Sequence, residues 1–376
     1  MTKKALIVVA EDWSFLSHRV PLARALKDDG YQVAIACRIK DHKNTIEEMG
    51  FTPIALDLAR ESISPTTALK TIKGLMNLYK AEQPDVIVHS SLFLSLLGSL
   101  AGLFSGFRKN VNLITGLGFI FISNSAKARI VRLALKLCFR LFAKLKTISV
   151  VVQNRDDQQI FQALGFREGD TLHVIRGSGV DDQAFRPSPH EPETQQVTFV
   201  GRILWAKGVA ELVEAARLLK ERGNLPKIVL VGEPDPGNPQ SATTQDLENW
   251  AKEGLVDCWG RRSDIANIYQ HSTIAILPSW REGLPKSLLE AAACALPMIT
   301  TDVPGCREIV THEENGLLVP LQDAQGLADA IERLIQNPTE RQKFGRAARK
   351  LVEDELNQNA IAQKTLAVVN QVRNHP

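Results

Sequence analysis

Residues 278–310 read PSWREGLPKSLLEAAACALPMITTDVPGCREIV. With the apolar run Thr273 to Leu277 in front, this stretch predicts a strand, a loop, a helix, a second short strand and a glycine-containing turn. Two carboxylates punctuate it. Glu282 falls in the loop, and Glu290 falls about two turns into the helix. A helix start leaves backbone N–H groups free, here around Gly283, Leu284, Pro285, Lys286 and Ser287, and such a terminus favours a phosphate. Glu290 can accept bonds from hydroxyls of the same ligand. Carboxylates for hydroxyls and amides for phosphate describe a sugar-nucleotide pocket. The E-x7-E spacing by itself more often marks a surface glutamate pair on an ordinary βαβ unit.

The chain has 376 residues, which suggests about two domains, and 44% of them are hydrophobic, enough for substantial cores. A net charge of +3 gives no bulk affinity for nucleic acid. The five cysteines (37, 138, 258, 294 and 306) form no CxxC pair and fit reduced thiols in a cytoplasmic protein. Lys3-Lys4 before ALIVVA mimics a signal peptide. The apolar run stops after six residues at Glu11-Asp12, so it reads as a first strand.

That strand, the loop EDWSFLSHR, the helix VPLARALKDDG and the strand Tyr31 to Cys37 open a doubly wound parallel sheet. No G-x-G-x-x-G occurs in the first loop, which argues against a dinucleotide cofactor. Trp13, His18 and Arg19 in that loop would line the ligand cleft and suit a sugar beside a phosphate. The alternatives are a Trp13 that staples the loop to the core, and His18 and Arg19 in the first helical turn. A strand from Phe51 to Asp57 and a helix from Thr66 to Glu82 follow. The strand VIVHS then ends in His89, which would point into the cleft or serve the core. Leu92 to Phe107 is apolar enough to score as a membrane span. Its serines and glycines fit a buried or membrane-grazing crossover helix better. Thr115-Gly116-Leu117-Gly118 is a turn after a strand that permits close backbone approach to a ligand.

From Val86 to Arg155 there is no Asp or Glu, while ten Lys or Arg occur. Within KARIVRLALKLCFRLFAKLK, Arg129, Arg132, Lys136, Arg140 and Lys144 fall within a roughly 120° arc of a helix, and leucines and phenylalanines cover the rest. A basic amphipathic helix of this kind suits an anionic membrane surface. A core-facing helix with a solvated basic face is the alternative, and it would normally carry acids as well.

Pro187, Pro189 and Pro192 mark a linker between domains at 1–185 and 193–358. The second opens with VTFVGRILWAKG. Arg202 and Lys207 would converge there on a diphosphate and neutralise its charge as it leaves. Gly232 ends the next strand, and Arg261 is a weaker candidate for the base pocket. No internal repeat appears.

Taken together, PSWREGLPKSLLEA, TDVPGCREIV, NGLLVP and GR-x4-KG resemble the donor site of family 4 glycosyltransferases, retaining enzymes of the GT-B fold. The resemblance spans most of the C-terminal half. It implies two Rossmann-like domains facing a central cleft, with a last helix over 359–376 crossing back to the first domain. It also implies that Arg202 and Lys207 bind the donor diphosphate, Glu282 contacts the transferred sugar, Glu290 contacts the ribose, and His89 sits near the reacting sugar. TGLG after a strand and QNRDD at 153–157 resemble the subgroup that extends polyprenyl-diphosphate-linked sugars in bacterial surface polysaccharide or glycoprotein assembly. Arg155 stands where that subgroup has Pro. Phe93-Leu94 stand where it often has Lys-Pro, which leaves the acceptor open.

The expected function is transfer of an N-acetylhexosamine or hexose from a UDP-sugar to a polyprenyl-diphosphate-linked saccharide. The route would be a front-face displacement in which a phosphate oxygen takes the proton. No Asp-x-Asp stands at a strand end, so no metal or other cofactor is expected. The expected place is the cytoplasmic face of the cell membrane, peripherally bound. A nucleotide-sugar epimerase or phosphorylase on the same fold, and a non-catalytic membrane scaffold, are the alternatives.

Overall fold

The computed structural model describes residues 3–57, 64–117, 121, 125–146, 148–190, 192 and 194–375. Two compact units emerge. Unit 1 comprises Met1–Ser178 with Asn359–Pro376, and unit 2 comprises Gly179–Gln358.

Unit 1 begins with β1 (Lys3–Glu11), α1 (Asp12–His18), α2 (Val20–Asp28), β2 (Tyr31–Arg38), α3 (Lys43–Glu48) and β3 (Thr52–Ala55). It continues with α4 (Pro65–Glu82), β4 (Val86–Ser90), α5 (Leu92–Ser105), β5 (Asn110–Ile114) and α6 (Ala126–Leu145). β6 (Ile148–Val152), α7 (Arg155–Ala163) and β7 (Leu172–Val174) follow. The seven strands lie in the order β3-β2-β1-β4-β5-β6-β7, every neighbouring pair parallel. Such a sheet is covered on both faces, which is why its strands read as unbroken apolar runs. Along β1, Ala5, Ile7 and Val9 pack in the core that holds the α2 residues Leu22 and Leu26, while Leu6 and Val8 pack in the core that holds the α4 residues Leu75 and Tyr79.

Unit 2 contains β8 (Gln196–Val200), α8 (Val209–Glu221), β9 (Lys227–Val231), α9 (Thr244–Lys252), β10 (Asp257–Gly260), α10 (Ile265–Gln270) and β11 (Ile274–Leu277). It then adds α11 (Lys286–Ala293), β12 (Met298–Thr301), β13 (Gly316–Val319), α12 (Ala324–Gln336) and α13 (Pro338–Leu351). Its parallel sheet runs β10-β9-β8-β11-β12-β13, with one large core and a smaller cluster of Val229, Val231 and Ile268. A π-turn at Val352–Leu356 precedes α14 (Gln358–Asn374), whose Ile361, Leu366 and Val369 complete a core of unit 1.

The structure departs from the sequence reading in two places, the first loop and the unit boundary, and agrees with it on a buried crossover helix after β4. The first loop contains helix α1, because its buried Asp12 carboxylate organises it. Asp12 accepts the backbone N–H groups of Trp13, Lys40, Asp41 and His42 at 2.7–3.1 Å. Burial alone would raise its pKa, but these four bonds outweigh that and hold it at about 2. The unit boundary falls at Ser178/Gly179, ahead of the proline-rich stretch. Val180 pairs with the backbone of Leu356 and Gln358, and Arg349 Nη1 donates to the carbonyls of Asp182 and Phe185, which ties this segment into unit 2. Residues 92–105 form a 14-residue helix, α5, with most of its first three turns buried. Among the described residues no helix is long and apolar enough to cross a membrane.

Candidate active site

In each sheet the strand order reverses once, between β1 and β4 in unit 1 and between β8 and β11 in unit 2. Loops leaving the carboxyl ends of two such strands diverge to opposite faces and open a crevice where ligands of α/β folds bind.

In unit 2 the two loops are locked together. After β8 come Gly201, Arg202 and a 3-10 turn at Trp205–Lys207, and after β11 comes the loop 278–285. Trp280 N donates to Ala206 O at 2.9 Å, and Ser279 Oγ donates to the same oxygen at 3.1 Å. Gly208 has φ +75°, and a Cβ there would run into the Pro278 carbonyl, so only glycine lets the loops close up. Lys207 Nζ consequently reaches Glu282 Oε1 in a largely buried ion pair. The far side of the loop is held as firmly. Glu282 N donates to Pro304 O at 3.2 Å, Thr300 Oγ1 donates to Leu277 O at 2.6 Å, and the Thr301 hydroxyl donates to Ser279 O. Gly305, also at positive φ, allows the backbone of Glu282 and Gly283 to lie against it. Trp280 Nε1 donates to Glu211 Oε1 at 3.0 Å. The loop is thus pinned by backbone contacts from two sides, the condition for holding charged groups where a ligand needs them.

Leu284 packs on the core, and Pro285 starts α11 with no side chain capping it. Tyr269 donates to Ser287 O at 2.9 Å and fixes this first turn. Glu290 is the fifth residue of α11, somewhat nearer the helix start than the sequence suggested, and it is 9% exposed. Burial pushes its carboxyl up to about 7, against the pull of the Lys286 ammonium at 3.6 Å. Near neutral pH it is poised to take hydrogen bonds from paired hydroxyls.

Arg202 is exposed and pairs with Asp235 at 2.8 Å, while Lys207 pairs with Glu282, so in this structure the two cations do not share a partner. Asp235 lies in the long loop after β9 and carried no motif signal. Gly232 sits on the Gly201 carbonyl and donates its N–H to Gly260 O at 2.9 Å, joining the ends of β8, β9 and β10. Arg261 is exposed just beyond β10.

In unit 1, Trp13 is 50% exposed on α1, and His18 closes that helix with Nδ1 3.5 Å from Ser178 Oγ. Arg19 is 5% exposed, and its Nε donates to Ser90 Oγ at 3.0 Å. Thr115 and Gly116 follow β5, and Gly118 lies outside the described residues. His89 is corrected. Its side chain faces α4 and α5, fully buried, rather than a cleft. Nδ1 donates to Asn112 Oδ1 at 2.9 Å and Nε2 accepts the Tyr79 hydroxyl at 2.8 Å, so both ring nitrogens are occupied. Burial holds its pKa down at about 4, against the Asn112 bond. It serves the core as a neutral imidazole.

Helix α6 divides into three faces. Ala128, Leu135, Phe139 and Phe142 are buried, while Arg129, Lys136, Arg140 and Lys144 are exposed. Arg132 is half-buried and donates to Phe121 O at 3.2 Å. Beside the basic face runs a bare stripe of Ile130, Leu133, Leu137, Leu141 and Leu145, each 46–70% exposed.

Solved structures share this architecture. Sucrose-phosphate synthase from Thermosynechococcus elongatus superposes with a TM-score of 0.80 over 98% of this chain and 99% of its own, at 21% identity. Anabaena HepE in complex with UDP-glucose gives 0.75 over 98% and 99%, at 17% identity. By sequence, the chain is 29% identical to the N,N'-diacetylbacillosaminyl-diphospho-undecaprenol alpha-1,3-N-acetylgalactosaminyltransferase of Campylobacter jejuni, over 95% of this chain and 98% of that one. It is 28% identical, over 71% of each, to the UDP-Gal:alpha-D-GlcNAc-diphosphoundecaprenol alpha-1,3-galactosyltransferase of Escherichia coli. Residues 4–149 match the family described as "Glycosyl transferase 4-like" and residues 180–351 match "Glycosyl transferases group 1", most of the chain between them. With two Rossmann-like units, each built on a parallel sheet whose strand order reverses once, this chain belongs to the family 4 glycosyltransferases of the GT-B fold class.

Proposed function

We propose that this glycosyltransferase moves an N-acetylhexosamine or hexose from a UDP-sugar to a saccharide carried on a polyprenyl diphosphate, with retention of anomeric configuration. The observation that carries the reading is the Lys207–Glu282 pair locked at the switch point of unit 2, with buried Glu290 on the helix that follows. The names of the Campylobacter and Escherichia relatives support the lipid-linked acceptor. Lys207 neutralises the departing diphosphate, joined by Arg202 once the Asp235 pair is exchanged for phosphate. Glu282, released from Lys207 by the incoming phosphate, accepts from hydroxyls of the transferred sugar, and Glu290 accepts from the ribose. The amides of the first turn of α11 and the turns at Gly232 and Arg261 complete the donor side. The acceptor hydroxyl attacks the anomeric carbon as the bond to diphosphate breaks, and its proton passes to the leaving phosphate oxygen. Trp13, His18, Thr115 and Gly116 serve the acceptor.

The bare leucine stripe and basic face of α6 support peripheral attachment to an anionic membrane surface, where such an acceptor is presented. Leucines exposed at helical spacing beside lysines and arginines are the pattern of an interfacial helix. No observation favours an epimerase, a phosphorylase or a non-catalytic scaffold.

The test is a transfer assay over a panel of UDP-sugars with undecaprenyl-diphosphate-linked monosaccharides, with lipid products read by mass spectrometry. Glu282→Ala should melt within a few degrees of wild type and lose product formation by about a hundredfold or more. Near-normal turnover in that variant would sink the assignment.

A further inference from the structure

Unit 1 has its own switch point, between β1 and β4, and a largely buried arginine with no acid partner among the described residues stands there. Arg19 follows α1, the helix that leaves β1, and it is 5% exposed. Of its five N–H donors, Nε is satisfied by Ser90 Oγ at 3.0 Å, and the guanidinium bonds no other group and pairs with no carboxylate among the described residues. Burial is the influence that acts on it, drawing its pKa down to about 10. A buried arginine is ordinarily paired with an acid, because an isolated charge out of water is costly. The two acids at the junction of β1 and α1 are committed elsewhere. Glu11 lies with Arg38 and Lys40, and Asp12 is saturated by backbone N–H groups.

Ser90, which holds Arg19, is the last residue of β4, and Ser91 is the N-cap of α5. No side chain caps that 14-residue helix, and its first helical bond is Ser95 N to Ser91 O, so the N–H groups of Leu92, Phe93 and Leu94 have no helical acceptor. Ser91 itself has φ +104° and ψ 156°, a conformation costly for any residue with a Cβ and typical of sites where the backbone is held for a ligand. A guanidinium fork and a bare helix start, linked through Ser90, are both donors waiting for one multivalent oxyanion.

We infer that Arg19 and the amino end of α5 form a phosphoryl-binding subsite at the switch point of unit 1, distinct in residues from the donor site of unit 2. The phosphoryl oxygens take the free Nη donors of Arg19 and the first-turn amides of α5. The proposed function enters only in naming the source of the anion, the diphosphate of the lipid-linked acceptor; a free phosphate compound offers the same chemistry.

The experiment measures melting and calorimetric affinity with inorganic pyrophosphate and with geranyl diphosphate, at matched ionic strength. It compares wild type with Lys207→Ala, and makes Arg19→Gln and Arg19→Lys in the Lys207→Ala background as well as alone, so that the unit 2 diphosphate site does not mask the effect. Wild type and Lys207→Ala both bind through the subsite. In the Lys207→Ala background, Arg19→Gln binds about tenfold or more weakly, and Arg19→Lys, which keeps the charge without the fork, falls between. Ligand-free Arg19→Gln melts at or above wild type, because an unpaired buried charge has been removed. Tighter binding of geranyl diphosphate than of pyrophosphate assigns the lipid source, and equal binding assigns a soluble phosphate. An Arg19→Gln protein that fails to fold, melts lower, or in the Lys207→Ala background responds to both probes as Lys207→Ala alone does overturns the subsite. UDP is titrated in parallel. Absence of a UDP response that depends on Lys207 defeats the donor reading of unit 2 and leaves the Arg19 result standing.

Discussion

Replacing Glu290 with Gln tests the most perturbed carboxyl of the proposed donor site. In the folded protein burial raises its pKa from 4.5 to about 7. Between those values the native state holds a proton that the unfolded state has released. Its contribution to stability is therefore fully present below about pH 4.5 and is lost as pH rises through 7. Two and a half units at about 1.36 kcal/mol each give roughly 3 kcal/mol. Glu290→Gln cannot ionise, so it should match wild type near pH 4.5 and be more stable at pH 8 by up to that amount. For a unit of this size that is about 5–10 °C in Tm. Nucleotide binding should move the opposite way, since only the carboxylate accepts from both ribose hydroxyls. Wild-type affinity for UDP should be roughly tenfold weaker at pH 6 than at pH 8, and the Gln variant's should be flat. The assay is melting with and without UDP in steps from pH 5 to 8.5. Parallel stability profiles for the two proteins, or a Gln variant less stable at pH 8, would refute the reasoning.

Two further outcomes follow from the same structure. His89→Ala leaves Tyr79 and Asn112 without their buried partner and should cost about 3 kcal/mol in urea denaturation, with activity per folded molecule retained. The pKa of His89 is depressed from 6.5 to about 4, so its contribution is complete above pH 6.5 and is lost as pH falls toward 4; a stability profile that the variant shares with wild type over that window would defeat this. On α6, Leu137→Asp with Leu141→Asp should leave Tm unchanged, since both side chains are about half exposed, and should weaken binding to anionic vesicles at least tenfold in co-sedimentation. Unaltered sedimentation would return that stripe to an ordinary surface.

Both sheets were legible because parallel strands buried on two faces are unbroken apolar runs, and the loop 278–285 with its two glutamates was legible because its motifs are dense. The misreadings share a cause, which is direction. His89 was placed by its position at the strand end, yet alternation along β4 sets it on the α4/α5 face with Ile87, where Asn112 lies beside it in register on β5. A polar residue on each of two adjacent apolar strands was the available signal. On α6 the leucines and phenylalanines cover all of the circumference outside the basic arc, and pattern alone does not say that Leu135, Phe139 and Phe142 are buried while Leu133, Leu137, Leu141 and Leu145 are exposed. Helix α1 was missed because its determinant is the non-local capture of residues 40–42 by Asp12. Asp235 and Ser90 were missed because a single acid in a loop and a single serine at a strand end have no periodicity.

Helix α14 is translated only after the whole of unit 2, yet its apolar residues belong to a core of unit 1. At an elongation rate of about 5–20 residues per second, the 180 residues of unit 2 separate the two parts of unit 1 by roughly ten to forty seconds. Unit 2, which is continuous in sequence, can mature on the ribosome during that interval. The first 178 residues must meanwhile wait with the surface around Tyr31, whose hydroxyl bonds Asn370 at 2.7 Å in the finished protein, still uncovered. The enzyme's maturation therefore runs against its chain order. A polypeptide cut short anywhere in α14 would carry an intact unit 2 beside an N-terminal unit that chaperones and proteases would treat as unfinished.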